Sequence, residues 1–220
     1  MSTQDELKKS VAKAAAATLP ENKFIGIGSG STVNFFIEEI SHRREHISGC
    51  VATSEATREW LNKCGLKLVS LNDVYPLPIY YDGADEVNYS GEMIKGGGGA
   101  LTQEKIIASA SKKFVCLVDS SKLVKKLGKF PLPIEVIPIS CVHVQKNIED
   151  LGGRAIVREG VVTDNGNLIL DVIDLNLEKL KNIEERINNL PGVVENGIFA
   201  TRKCDELLVA SSHGVEKIIF

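Results

Sequence analysis

The first 120 residues alternate short apolar runs with helical patterns, and this alternation limits the fold more than any other feature. Residues 114–118 are five consecutive apolar residues, which is typical of a strand buried on both faces. Further strands are predicted at residues 24–27, 49–52, 66–71 and 79–81. Helices are predicted from a capping box at Thr3 and Glu6 to Leu19, and then at residues 33–40, 54–64 and 101–111. Such alternation predicts an α/β fold with a doubly wound, mostly parallel, Rossmann-like sheet.

The pattern changes after Lys129. Residues 130–133 are interpreted as a linker, and a strand at 134–137 and a helix at 140–151 follow it. Next come a strand at 154–157, a hairpin at 161–170 around Asn165-Gly166, and a helix at 177–190. This order predicts a second, smaller α+β domain with an antiparallel sheet. Two apolar runs in the tail, 206–210 and 215–220, are expected to return to the first domain, because unpaired strands would expose an edge.

The predicted domains are therefore residues 1–129 with 198–220, and residues 130–197. The chain has 220 residues, of which 43% are hydrophobic and 25% are charged, and this composition is typical of a globular protein. The net charge of −3 argues against nucleic acid as a partner, and no apolar run reaches the ~20 residues that cross a membrane.

The histidines and cysteines give no sign of a metal site. The five cysteines lack CxxC spacing, which indicates neither a zinc site nor a disulfide framework and favours a reducing cytoplasm. His42 and His46 are four residues apart but have no third ligand in view, so a solvated helix face is the preferred interpretation.

Ionisable residues and glycines are concentrated between Tyr81 and Glu104. Asp82 and Asp85 follow a predicted strand, so they leave the sheet at its carboxyl edge, where open parallel sheets bind ligands. Lys95 precedes four glycines, whose amides can approach a ligand closely, and Glu104 lies in an early turn of the next helix. This set suits proton transfer on a small anionic substrate. Taken alone, the segment after Asp82 also fits an ordinary loop.

The glycine-serine-threonine turn at residues 28–32 lies between a strand and a helix, as a phosphate cradle does. The dinucleotide fingerprint GxGxxG fails at Ser31, and after the second strand no acidic residue stands where a ribose hydroxyl would need one. The residue immediately before Ser31 is a glycine and not the lysine of a P-loop, so that pattern fails as well. The turn therefore favours a small phosphorylated ligand, with a purely structural turn as the alternative. Lys122 lies four residues after the strand at 114–118, so it is expected at the same carboxyl edge of the sheet.

With these motifs assembled, the chain resembles ribose-5-phosphate isomerase, type A. The resemblance is carried by GIGSGST at 26–32, DGADE at 82–86, IKGGGGALTQEKI at 94–106, DSSK at 119–122, GKFPLP at 128–133 and VVTDNGN at 161–167. It implies interconversion of D-ribose 5-phosphate and D-ribulose 5-phosphate through an enediolate, in the non-oxidative pentose phosphate pathway. It also implies no metal or organic cofactor, a ferredoxin-like second domain and a homodimer.

The resemblance further implies a role for each matching residue. Glu104 corresponds to the base that moves a proton between C2 and C1, while Asp82 and Asp85 handle ring opening and the hydroxyl protons. Lys95, with the amides of Gly96, Gly97 and Gly98, corresponds to the group that stabilises the enediolate. The remaining positions are expected to contact the sugar phosphate, and they are Ser29, Gly30, Ser31, Thr32, Gly83, Ala84 and Lys122, with Lys8 as a further candidate.

Two functions other than isomerisation would fit parts of this sequence. A non-catalytic sugar-phosphate sensor would keep the phosphate cradle but would need neither Glu104 nor Lys95, and it would normally carry a DNA-binding helix pair. A nucleotide-dependent dehydrogenase is disfavoured by the failed fingerprint. Which aspartate opens the sugar ring is left open by the sequence.

Overall fold

The structure is a computed structural model that describes residues 3–220. Its helices are α1 (Gln4–Ala17), α2 (Ser31–Ser41), α3 (Glu55–Lys63), α4 (Leu71–Val74), α5 (Leu101–Ser109), α6 (Cys141–Asp150) and α7 (Leu180–Asn188). Its strands are β1 (Lys23–Ile27), β2 (Ile47–Ala52), β3 (Ile79–Asp82), β4 (Glu86–Val87), β5 (Met93–Ile94), β6 (Phe114–Asp119), β7 (Leu132–Val136), β8 (Arg154–Val157), β9 (Leu168–Ile173), β10 (Val193–Asn196), β11 (Ile198–Phe199), β12 (Glu206–Ser211) and β13 (Gly214–Ile219).

A six-stranded sheet has the order β13-β12-β6-β3-β1-β2 and is parallel except at the edge strand β13. The mostly parallel sheet predicted from the alternating pattern is therefore confirmed. The tail strands β12 and β13 join it, as their apolar runs predicted, and β12 pairs with β6 along five residues. Every residue of β6 is buried, which explains its uninterrupted apolar sequence.

Both faces of this sheet carry packed aromatic side chains. Along β3, Tyr81 faces α2 and its ring centroid lies 4.7 Å from that of Phe36. Tyr80 points to the opposite face, where its ring centroid lies 4.7 Å from that of Phe114. This alternation follows from the two-residue period of a strand. It places Asp82, two residues after Tyr80, on the same face as Tyr80.

A four-stranded antiparallel sheet has the order β10-β7-β9-β8. Helix α6 connects β7 to β8, and α7 connects β9 to β10. This βαββαβ arrangement is the predicted ferredoxin-like fold. Its core includes Ile134, Val144, Leu170 and Ile187, all fully buried.

The chain divides into two compact units. The larger unit consists of the segment ending at Ala84, Gln103–Leu123 and Cys204–Phe220, and the smaller unit consists of Asp85–Thr102 and Val124–Lys203. The smaller unit also contains a three-stranded sheet with the order β11-β5-β4. The domain ranges 1–129 with 198–220, and 130–197, stay a prediction. Among the described residues, no helix has the length and apolar character needed to cross a membrane.

Three local predictions are wrong. Residues 66–71 form no strand, because Leu68 makes only an isolated bridge to Cys50 and Ser70 caps α4 by accepting a hydrogen bond from the Asn72 backbone (3.2 Å). The predicted linker at 130–133 ends early, since β7 already begins at Leu132.

The third error concerns the hairpin at residues 161–170. Its two strands are β8 and β9, so residues 161–167 form a long connection rather than a first strand. This connection is folded around the buried carboxylate of Glu135, which accepts hydrogen bonds from Thr163 (2.8 Å), Asn165 (3.0 Å) and Asn167 (2.8 Å). These polar contacts replace the backbone ladder that a strand would have made.

Candidate active site

The turn after β1 holds a serine between two buried carboxylates. The Ser29 backbone N–H donates to Asp82 Oδ1 (3.0 Å), and the Ser29 hydroxyl donates to Glu104 Oε1 (2.6 Å). Asp82 ends β3 and is fully buried, while Glu104 lies in the first turn of α5 and is 3% exposed. The structure therefore brings together three residues that the sequence singled out, and one serine fixes the two carboxylates relative to each other.

The peptide that joins Gly28 to Ser29 is held on both sides. Its carbonyl oxygen accepts a hydrogen bond from Thr57 Oγ1 (2.8 Å), and its N–H is the group that donates to Asp82. Thr57 also contacts Ser54, the N-cap of α3, whose hydroxyl lies 2.9 Å from Thr57 Oγ1. This buried chain of hydroxyls sets the orientation of the peptide and so directs its N–H at the carboxylate.

Gly28 is required where it stands because Asp82 occupies the space that a side chain would need. A Cβ built on Gly28 would overlap the Asp82 carboxyl group. The glycine cannot easily shift, since its own N–H donates to the Tyr81 carbonyl (2.8 Å). The turn is thus packed against the carboxylate as closely as backbone atoms allow.

Asp82 receives further hydrogen bonds from its own strand and loop. The Gly83 backbone N–H donates to Oδ1 (2.7 Å), and the Tyr80 hydroxyl donates to Oδ2. The site therefore offers Asp82 a set of neutral donors on both oxygens.

The N-terminus of α2 has the features of an anion site. Gly30 is its N-cap, with φ 94° and ψ 174°, a conformation that glycine adopts without strain. Gly30 has no side chain with which to cap this end, and Ser31 and Thr32 form the first turn beside Ser29. Unsatisfied N–H groups at a helix start, with the positive end of the dipole, favour a phosphate.

Two lysines of the predicted site lie in the same unit. Lys122 is half-buried and ends a short 3₁₀ turn after β6, which Asp119 caps by accepting from the Ser121 N–H (3.0 Å). Asp119 also accepts from Gln4 on α1 (3.3 Å). Lys8, one turn along α1, pairs with Asp5 (3.5 Å).

The smaller unit contains the rest of the predicted site. Gly97 N–H donates to Asp85 Oδ2 (2.8 Å), and a Cβ on Gly97 would lie 2.5 Å from Asp85 Oδ1. Lys95 is 3% exposed, and its ammonium nitrogen lies 5.6 Å from the centroid of the Phe199 ring. Gly97 and Gly98 are exposed, so their backbones are accessible to a ligand.

Arg158 holds the glycine run and was missed in the sequence. Its guanidinium donates to the carbonyl oxygens of Gly96 (3.1 Å) and Gly97 (3.0 Å) and forms a bidentate pair with Asp171 (2.5 and 2.8 Å). With both carbonyls turned to Arg158, the following amides are fixed in direction. No sequence spacing points to this contact, because Arg158 lies 62 residues away from Gly96.

Tyr80 was also missed, although a signal was present. A residue two positions before Asp82 on a strand must share its face.

Among residues 3–220, no group of three or more histidine, cysteine, aspartate or glutamate side chains is arranged to hold a metal ion.

Comparison with known proteins gives concordant matches. The family model described as Ribose 5-phosphate isomerase A (phosphoriboisomerase A) matches residues 49–214. Ribose-5-phosphate isomerase A of Legionella pneumophila (strain Corby) is 54% identical over 213 residues, which cover 97% of this chain and 99% of that protein.

Solved structures agree with these sequence matches. Ribose 5-phosphate isomerase A from Neisseria gonorrhoeae is 47% identical, with a TM-score of 0.98 over 100% of this chain and 98% of its own. A D-ribose-5-phosphate isomerase in complex with phospho-erythronic acid is 36% identical, with a TM-score of 0.94 over 100% of both chains.

Proposed function

Because the chain belongs to the ribose 5-phosphate isomerase A family and is an isomerase of ribose 5-phosphate, we propose that Glu104 is the base of its reaction. The observation that carries this proposal is the pair of hydrogen bonds by which Ser29 joins Glu104 to Asp82. Two buried carboxylates within reach of one serine supply the two proton carriers that an aldose–ketose isomerisation needs.

In the proposed reaction, Glu104 removes the C2 proton of the open-chain aldose. The C2–H electron pair forms the C1–C2 double bond of an enediolate, and the former carbonyl oxygen on C1 takes up the negative charge. Asp82 transfers the proton between the oxygens on C2 and C1. Glu104 then returns its proton to C1, which leaves a ketone at C2, so protons and electrons balance with no net redox change.

Lys95 and the amides of Gly96 to Gly98 are proposed to stabilise the enediolate. A carboxylate is a weak base towards a carbon acid, so the negative oxygen of the transition state needs strong donors. The ordering of the glycine run by Arg158 and Asp85 supports this role, because donors that are fixed before the reaction need no reorganisation.

Ser29 has one hydroxyl proton, and this limits what it does during binding. That proton is donated to Glu104 (2.6 Å). If Ser29 donates to the sugar phosphate instead, as we propose, its hydrogen bond to Glu104 has to break first.

The phosphate is proposed to bind at the start of α2, with Gly30, Ser31 and Thr32 supplying donors and Lys122 supplying charge. The uncapped helix N-terminus supports this assignment. Lys8 is a further candidate, although its ion pair with Asp5 would first have to open.

Asp85 is proposed to share ring opening with Asp82, and Gly83 and Ala84 to line the substrate between them. Asp85 lies three residues after Asp82, so the chain itself limits the distance between their Cα atoms to ~10 Å. Which of the two takes the ring proton is open to test by Asn substitution of each.

We propose further that the protein is a homodimer and that it acts in the cytoplasm, in the non-oxidative pentose phosphate pathway. We also propose that it works without a metal or organic cofactor. All five cysteines are free thiols, which suits a reducing compartment. Three apolar side chains close together in sequence, Ile137, Ile139 and Val142, are 47%, 96% and 67% exposed and suit an interface. Light scattering tests the proposed dimer, because the measured molar mass should be twice the chain mass of 23.9 kDa.

The direct test of this function is conversion of ribose 5-phosphate by the purified protein after exhaustive treatment with EDTA. Ribulose 5-phosphate should form at the untreated rate, and unphosphorylated ribose should lose both rate and affinity. Activity that EDTA abolishes and a divalent ion restores would overturn the cofactor-free mechanism. Equal maximal rates for ribose and its 5-phosphate would remove the proposed role of Lys122 and the α2 turn.

A further inference from the structure

Tyr80 is fully buried, and its hydroxyl donates to Asp82 Oδ2. The opposite oxygen, Oδ1, accepts from the backbone N–H groups of Ser29 (3.0 Å) and Gly83 (2.7 Å). One oxygen is thus anchored by the backbone and the other by a side chain. Together these contacts engage both oxygens of the carboxylate and so fix its plane.

The neighbouring strand is built to accommodate this tyrosine. Gly26 lies directly opposite Tyr80 in the β1–β3 register. A Cβ on Gly26 would lie 2.9 Å from Tyr80 Cδ2 and 2.8 Å from Ile107 Cγ2 on α5. Two residues on, a Cβ at Gly28 would overlap the Asp82 carboxyl group.

Gly26 and Gly28 therefore form one slot on the α5 face of the sheet, and the slot is filled by the Tyr80 ring followed by the Asp82 carboxylate. The first half of the GIGSGST motif shapes the surroundings of a carboxylate, whereas its second half begins α2. The sequence alone suggested only the second use.

The surroundings of the Tyr80 hydroxyl favour its protonated form. Burial, followed by the negative charges of Asp82 and Glu104, raises the pKa of the Tyr80 hydroxyl well above its usual value. The hydroxyl consequently keeps its proton and acts as a permanent donor.

We propose that Tyr80 is a positioning residue, which holds the Asp82 carboxylate in the plane that proton transfer between the substrate oxygens requires. The proposal rests on the role of Asp82 proposed above. Tyr80 itself does not touch the substrate, so its removal should lower turnover through Asp82 and leave binding almost unchanged.

The test is Tyr80→Phe, which removes one oxygen and keeps the ring that packs on Phe114. We expect kcat to fall about tenfold and KM for ribose 5-phosphate to change less than twofold, since a misdirected group costs rate rather than affinity. Tyr81→Phe is the matched control, because it makes the same chemical change one residue later on the opposite face. Its kcat should stay within about twofold of wild type, on the same reasoning.

A double-mutant cycle separates positioning from general stability. In an Asp82→Asn background, adding Tyr80→Phe should change kcat less than about twofold, because the group that it positions no longer transfers protons. Tyr80→Met, a flexible apolar residue in the same slot, gives a second variant without the hydroxyl should the first fold poorly.

Two results would overturn the proposal. One is a Tyr80→Phe enzyme with wild-type kcat, and the other is an equal fractional loss in the presence and absence of the Asp82 carboxylate. If Asp82→Asn alone keeps wild-type turnover, the proposed role of Asp82 fails first. Loss in Asp82→Asn with none in Tyr80→Phe refutes only the positioning role.

Discussion

Substitution of Gly28 by alanine tests the packing on which the arrangement of the carboxylates depends. The new methyl group would overlap the Asp82 carboxyl group. Gly28 cannot shift without losing hydrogen bonds, because its carbonyl oxygen accepts from Thr57 Oγ1 (2.8 Å) and its N–H donates to the Tyr81 carbonyl (2.8 Å). Asp82 would therefore have to leave its position.

The magnitude follows from the contacts that are lost. Overpacking a buried site costs about 1–3 kcal/mol, and a hydrogen bond to a charged group contributes about 1.5–3 kcal/mol. Asp82 accepts such bonds from Ser29, Gly83 and Tyr80, and partial relaxation would save some of them. We expect Gly28→Ala to lower the free energy of unfolding by about 3 kcal/mol and Tm by about 10 °C.

Activity should fall further than stability. A displacement of about 1 Å at a reacting group costs on the order of 100-fold in rate, so kcat should fall by at least that factor at a temperature where the variant is folded. Gly214→Ala is the control: its φ of 113° gives backbone strain, but nothing lies within 4 Å of a Cβ there. It should lose stability modestly and keep wild-type kcat.

Calorimetry and steady-state kinetics on both variants decide the matter. A Gly28→Ala enzyme with kcat within about twofold of wild type and a Tm no lower than that of Gly214→Ala would refute the claimed close packing.

Two other perturbations have definite expected outcomes. Lys95→Ala should lower kcat by a factor on the order of hundreds, because one donor to a developing oxyanion is lost, and a loss below tenfold would exclude Lys95 from that role. Glu206 lies in β12; burial alone would raise its pKa, but hydrogen bonds from Lys113 (2.8 Å) and Lys217 (2.9 Å) hold that pKa below the ordinary 4.5. The stability that the Glu206 carboxylate contributes is therefore fully present above pH 4.5 and is lost as the pH falls through its lower folded-state pKa. The free energy of unfolding should consequently fall less steeply with decreasing pH in Glu206→Gln than in the wild type. Identical slopes for the two proteins would contradict this.

The sequence predicted the larger features of the fold because they depend on local periodicity. Buried parallel strands such as β6 have continuous apolar sequences, and the βαββαβ order of the smaller unit follows from strand and helix patterns. Two-residue strands such as β4 and β11 have no period to detect. The error at residues 66–71 arose because an apolar run with a capping serine fits both a strand and the approach to a short helix.

The candidate site was predicted less evenly. Asp82 and Ser29 were found because their residue types follow strand ends, and Glu104 because it lies in an early turn of the helix after the glycine run, but their hydrogen bonds join positions up to 75 residues apart. Arg158 and Glu135 act through contacts of the same long range, and a single sequence contains no signal for such pairs. Tyr80 differs, since the two-residue period already placed it beside Asp82.

The measurement that tests the central claim most directly is exchange of the substrate C2 proton with solvent in the Glu104→Gln variant. Glutamine keeps the shape and the place beside Ser29 but cannot accept the proton. Incubation of ribose 5-phosphate in D₂O, followed by NMR, should show neither turnover nor exchange at C2, while ribose 5-phosphate should still bind within a few-fold of wild type. Exchange at a rate near that of wild type would show that Glu104 is not the base, and Asp82 or Asp85 would become the candidate.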